Sequence, residues 1–148
     1  MKTNKIVAYT DGGCRGNPGL GGWGAYIKVP EKEFCLHGSV SYATNNQMEL
    51  TAAIEALKSF PEKCSIEIIT DSQYVKNGIT QWVDGWKKKN WKTASKKPVK
   101  NKELWIELDD LCQLHDVKWS WVRGHCGDYG NEKADELANY AMDNHNEN

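Results

Sequence analysis

Asp11 and Asp71 each close an apolar, strand-like run: Ile6-Val7-Ala8-Tyr9-Thr10-Asp11-Gly12 and Ile66-Glu67-Ile68-Ile69-Thr70-Asp71-Ser72. Runs this rich in Val, Ile and Tyr suit a covered sheet, and each stops at a Gly or Ser turn signal. As parallel neighbours they would set two carboxylates side by side at the carboxyl edge of the sheet, where open α/β folds bind ligands. Like charges held that close must share a proton or hold a cation. Two more acids are candidates for the same place. Glu49 is read into the first turn of a capped helix, where an acid suits the helix dipole. Asp135 follows the apolar Ala134 in the last helix. Singly, each acid has a local structural use as a turn, helix-start or solvated residue. Together, four carboxylates without an interleaved Cys or His form the ligand set of a hard cation such as Mg²⁺ or Mn²⁺, not of zinc. Two such ions could clamp the attacking and leaving oxygens of a phosphoryl transfer. Spacing leaves open whether the four converge. His125, in the Gly-flanked turn Gly124-His125-Cys126-Gly127, could carry protons near neutral pH or simply bond backbone.

The segments that must hold these residues alternate between strand and helix patterns. Gly12 to Gly22 reads as a Gly-rich loop, followed by strands Trp23–Val29 and Glu33–Val40 joined by Pro30-Glu31-Lys32. The first three strands thus form an antiparallel meander. Thr44-Asn45-Asn46-Gln47 fits a capping box that opens a helix with the apolar stripe Leu50, Ala53, Ile54, Leu57, ending before Pro61. After the Asp71 strand come a short helix from about Gln73, another from about Trp82, and a loop around Thr93 to Pro98. A helix over about 102–114, a strand over 117–122 and a last helix with Ala134, Leu137, Ala138, Ala141 and Met142 complete the chain. Gly19 to Gly24 matches G-x-G-x-x-G, but it runs into a strand rather than opening a helix, so the match is accidental.

The net charge of -1 conceals an asymmetry: from Trp82 to Lys102 there are eight lysines and one acid, Asp84, so the remainder is acidic. Trp82, Trp86 and Trp91 are interleaved with Lys87, Lys88, Lys89, Lys92, Lys96, Lys97 and Lys100. Trp82 and Trp86, four apart, share a helix face. The arm reads as a tryptophan-packed corner whose lysines neutralise a phosphate backbone, which makes nucleic acid the favoured partner. Five scattered cysteines without a C-x-x-C pair are expected as reduced thiols. Hydrophobic residues at 39% and charged residues at 26% are ordinary for a globular protein. With no signal-type apolar stretch and no membrane-length run, the chain is expected to be cytoplasmic; a monomer without membrane association is the expected state. Residues 1–148 read as one α/β domain with a basic protrusion over about 82–102 and a frayed tail over about 143–148.

Taken in order, Thr10-Asp11-Gly12-Gly13-Cys14, Asn17-Pro18-Gly19, Thr44 to Leu50, Thr70 to Val75, the arm, Gly124-His125 and Asn131 to Ala138 resemble type 1 ribonuclease H, in the bacterial cellular form with a basic protrusion. The resemblance spans nearly the whole chain. It implies a five-stranded mixed sheet flanked by helices, with the Asp11 and Asp71 strands as central parallel neighbours. It implies an endonuclease that hydrolyses the RNA strand of RNA–DNA hybrids with two Mg²⁺ ions, leaving 5′-phosphate and 3′-hydroxyl ends. Asp11, Glu49, Asp71 and Asp135 match the family's metal-binding carboxylates, with Asp11 expected to bridge both ions, and His125 matches its flexible-loop histidine. Cys14, Asn17, Asn45, Asn46 and Gln73 match positions that contact the hybrid, whose wide, shallow groove displays 2′-hydroxyls. Trp82, Trp86, Lys87, Lys88, Lys97 and Lys100 are the arm residues expected to join them. Gly13, Cys126 and Ala134 depart from the usual residues, and none removes a carboxylate. A silent hybrid-binding module or a related nuclease or integrase core are the rivals. The four retained acids argue against the first, the asparagine pair and the arm against the second.

Overall fold

Alternating burial along Ile6, Ala8 and Thr10, and again along Ile66, Ile68 and Thr70, marks two strands with one face on the core. The computed structural model describes residues 6–122 and 129–145. Strands β1 (Ile6–Arg15), β2 (Gly19–Val29) and β3 (Lys32–Ala43) form the antiparallel meander. Strands β4 (Ser65–Thr70) and β5 (Asp116–Trp121) add in parallel beyond β1, giving the order β3-β2-β1-β4-β5. This is the expected five-stranded mixed sheet. Because β1 and β4 pair from Ile6↔Ile66 to Thr10↔Thr70, Asp11 and Asp71 stand together one step past the last pair.

Helix α1 (Asn45–Lys58) packs Leu50, Ala53, Ile54 and Leu57 into the core as its periodicity requires. Its capping box is complete: the Gln47 N–H donates to Thr44 Oγ1 at 3.2 Å, and the Thr44 N–H to Gln47 Oε1 at 3.0 Å. Helices α2 (Gln73–Asn77) and α3 (Val83–Lys88) are joined by a π-helical turn over Gly78–Trp82. Helix α4 (Lys102–Leu114) contributes Leu108 and Trp105, a fully buried indole at the centre of the core. Helix α5 (Tyr129–Asp143) covers the opposite face with Ala134, Ala138, Ala141 and Met142. Each fully buried Leu or Ile side chain contributes about 1.5–3 kcal/mol of transfer free energy.

Two local expectations need correction. The stretch from Gly12 to Gly22 is not a loop: β1 runs on to Arg15 and β2 starts at Gly19. Its glycines serve close packing, since a Cβ on Gly12 would strike the Met48 backbone and one on Gly22 would lie 2.5 Å from the Ala138 carbonyl. The helix expected from about Trp82 is present as α3, joined to α2 through the π turn, where the Trp105 ring lies directly over Gly78. Glu49 is the fifth residue of α1, so it sits beyond the first turn, which holds no acid. Beyond α5, His145 Nδ1 lies 2.7 Å from Ser39 Oγ, tying the start of the tail to β3.

Candidate active site

Each carboxylate is set by a different element. Asp11 lies within β1, paired with Gly24 of β2, where β4 has already ended. Asp71 sits at the β4–α2 junction. There the Ser72 N–H donates to Thr70 Oγ1 at 3.0 Å, and Ser72 Oγ caps α2 by accepting from the Val75 N–H at 3.1 Å. The Trp121 indole N–H donates to the Asp71 carbonyl at 3.1 Å and fixes that junction to β5. Glu49 is presented by the second turn of α1, and Asp135 by α5.

The four meet. Carboxylate oxygens of Asp11, Glu49 and Asp71 lie within 4.8 Å of one another. Asp135 shares their cavity of about 300 Å³ and hydrogen-bonds the Asp11 carboxyl. Burial, then the nearby charge of Asp71, push the Asp11 carboxyl up to about 9, and the Asp135 contact adds to this. Glu49 is also raised well above its ordinary value, by burial first and then by the charges of Asp11 and Asp71. The Gly12 N–H acts the other way on both. Burial and mutual repulsion thus favour protonation within the Asp11–Glu49–Asp71 group, and a cation held there would offset that repulsion. Glu49 Oε1 is buried with no hydrogen-bond partner among the described residues. Oxygen-only donors and an orphaned carboxylate oxygen fit a hard divalent cation.

Cys14, Asn17 and Asn45 converge beside the acids. Asn45 Oδ1 accepts from the Cys14 N–H at 2.8 Å and faces its Sγ at 3.2 Å, while Asn17 Oδ1 accepts from the Asn45 N–H at 3.2 Å. Asn45 and Asn46 line the acidic cavity, and Gln73 is exposed at the start of α2. In the arm, Trp82 and Trp86 have ring centroids 5.9 Å apart, and the row continues to Trp91 at 6.2 Å. Trp82, Trp86, Lys89 and Lys92 line a groove of about 540 Å³. Lys87 Nζ is bound to the Asp109 carboxylate at 3.2 Å, whereas Lys88, Lys97 and Lys100 are exposed. Cys14, Cys35, Cys64 and Cys112 are free thiols. His125 and Cys126 lie outside the described residues. No helix among the described residues is long and apolar enough to cross a membrane.

Sequence reasoning missed Asn131, a buried residue lining the cavity. Its signal was available, because it precedes Asp135 by one helical turn and so shares its face. It also missed Ser72, whose polar side chain is spent on the cap that aims Asp71.

The molecule is thus an α/β protein with a cluster of acids beside the carboxyl edge of two central parallel strands, the place where open α/β sheets bind ligands. The RNase H family model matches residues 3–143, so the chain belongs to the ribonuclease H family, which are endoribonucleases. A ribonuclease H of Hydrogenovibrio crunogenus is 60% identical over 139 residues, 94% of this chain and 96% of that protein. The crystal structure of LC9-RNase H1, described as a type 1 RNase H with the type 2 active-site motif, superposes with a TM-score of 0.86 at 32% identity. That match covers 97% of this chain and 74% of the other. LC11-RNase H1, solved in complex with an RNA/DNA hybrid, gives a TM-score of 0.70 at 25% identity over 93% of this chain and 96% of that one.

Proposed function

We propose that this enzyme hydrolyses the RNA strand of RNA–DNA hybrids at the Asp11, Glu49, Asp71 and Asp135 cluster, leaving 5′-phosphate and 3′-hydroxyl ends. The observation that carries the reading is the close approach of three carboxylates, with Asp135 against Asp11, in one cavity where β4 ends beside β1. Family membership and the hybrid bound by LC11-RNase H1 supply the substrate class.

The four carboxylates would hold two Mg²⁺ ions, with Mn²⁺ able to substitute. Such ions supply positive charge for the phosphate oxygens and lower the pKa of an attacking water. The protein's own residues do the rest. Asp11, central to the cluster, would hold the cations together with Glu49, Asp71 and Asp135, its carboxyl then being ionised. Asn45 and Asn46 in the cavity wall, Cys14 and Asn17 bonded to Asn45, and Gln73 at the start of α2 would read the groove where 2′-hydroxyls distinguish RNA from DNA. The lysines of 82–102 grip the backbone farther along the duplex, and Trp82 offers an apolar face to its sugars. His125 moves a proton or assists product release. Incubation with labelled hybrid, single strands and duplex DNA in Mg²⁺ tests the reading. Cleavage confined to the RNA of the hybrid is expected, and equal cleavage by Asp11→Asn would overturn the site.

A further inference from the structure

The lysine arm and the acidic cavity must act on one duplex, so something must hold them in register. The tryptophan row packs along the arm, with Trp82, Trp86 and Trp91 at centroid distances of 5.9 and 6.2 Å. A polar chain crosses the root of the arm. The Tyr74 hydroxyl of α2 accepts the Trp105 indole N–H at 3.0 Å and the Asn101 side-chain amide at 3.1 Å. Asn101 Oδ1 in turn accepts the Gln47 side-chain amide at 3.3 Å, and Gln47 Oε1 closes the capping box of α1. The Tyr74 ring also makes an edge contact with Trp82, centroids 5.8 Å apart, and packs on Trp105 at 5.2 Å.

The ends of this chain are informative. Tyr74 stands three residues after Asp71, and Gln47 two residues before Glu49. Asn101 is the residue where the arm ends and α4 begins; it holds the left-handed conformation at φ 59° and places no side-chain hydrogen bond on the helix it precedes. Its amide is given to the link instead of to a cap. One hydroxyl therefore ties the arm's root both to the segment carrying Asp71 and, through Asn101 and Gln47, to the helix carrying Glu49. Linked bonds of this kind act as a unit, so losing one member loosens the others.

We propose that Tyr74 is a positioning residue whose hydroxyl sets the basic arm in register with the carboxylate cluster, so that lysines and acids engage the same duplex. The proposal rests on the reading of the arm as a duplex-binding surface. Tyr74→Phe keeps the ring and removes the hydroxyl; Asn101→Gly cuts the same link from its other end and tolerates the left-handed backbone. Each is measured for kcat and KM on a hybrid substrate, for salt dependence of binding, and by thermal melting, alone and combined with Lys88→Ala. Both single variants should raise KM three- to tenfold with kcat within twofold, and lower the slope of log affinity on log salt by about 1. The effect of Lys88→Ala on KM should shrink in the Tyr74→Phe background, since coupled sites are not additive. If Lys88→Ala raises KM in the parent enzyme but neither link variant does, Tyr74 has no positioning role and the arm reading stands. A raised KM with full additivity likewise reduces Tyr74 to local stability and overturns the proposal. If neutralising Lys88, Lys97 and Lys100 together in the parent leaves KM and salt slope unchanged, the arm reading fails and the proposal falls with it.

Discussion

Asp11 is proposed to hold a cation, yet its surroundings favour a proton there. Without a cation its proton relieves the repulsion of Asp71, which is why burial and that neighbour raise its carboxyl to about 9 from the ordinary 3.8. The folded state thus holds a proton that the unfolded chain releases near 3.8. The corresponding stability is complete below that pH and is lost as pH rises toward about 9. Glu49, shifted in the same direction, adds to the same trend. Asp11→Asn, free of this titration, should melt higher than the parent at pH 8 without metal, by roughly 1–3 kcal/mol or several degrees. It should also flatten the decline in melting temperature between pH 5 and 9. An Asn variant that melts lower at pH 8 would contradict the assigned proton. The acids themselves were legible because both apolar runs close on aspartate at matching positions. The depth of Glu49 was not, because a capping box fixes a helix start but not which later residue turns toward the sheet edge.

At the scale of elements, α1 serves as both core helix and site wall. Its cap joins Thr44 to Gln47, and its first two residues are Asn45 and Asn46. Thr44→Ala should cost about 1 kcal/mol of stability, seen in denaturant melts, and should loosen hybrid binding more than it slows saturated turnover. An unchanged midpoint would show that the cap is redundant. The arm makes a separate prediction. Replacing Lys88, Lys97 and Lys100 by Ala should weaken hybrid binding at low salt and reduce the salt slope by about 3, with little change in kcat. Periodicity identified α1 and α4 well, because their apolar stripes are long. It failed across Gly12 to Gly22, where glycine signals turns in most sequences but here admits α1 and α5 close to the sheet.

For the whole molecule, the sheet order brings together residues from β1, α1, the β4–α2 junction and α5 that are as much as 124 positions apart, from Asp11 to Asp135. Sequence could suggest that convergence only through strand-end matching and family resemblance, because tertiary distance leaves no periodic trace. The repulsion stored there links metal to stability. Mg²⁺ should raise the melting temperature of the parent, more at pH 8 than at pH 6, since fewer protons must then be displaced. In Asp11→Asn this increment should largely vanish. Equal stabilisation of both proteins would place the cation elsewhere.

The central claim is that the Asp11 cluster is the catalytic centre for cutting RNA paired to DNA. The most direct measurement is the rate of RNA-strand cleavage of a labelled hybrid in Mg²⁺ by the parent and by Asp11→Asn, with melting curves showing both folded. The parent should cut the hybrid's RNA and leave duplex DNA intact, while the variant loses at least about 10²-fold in rate. A folded Asp11→Asn enzyme that cuts the hybrid at the parental rate would contradict the account.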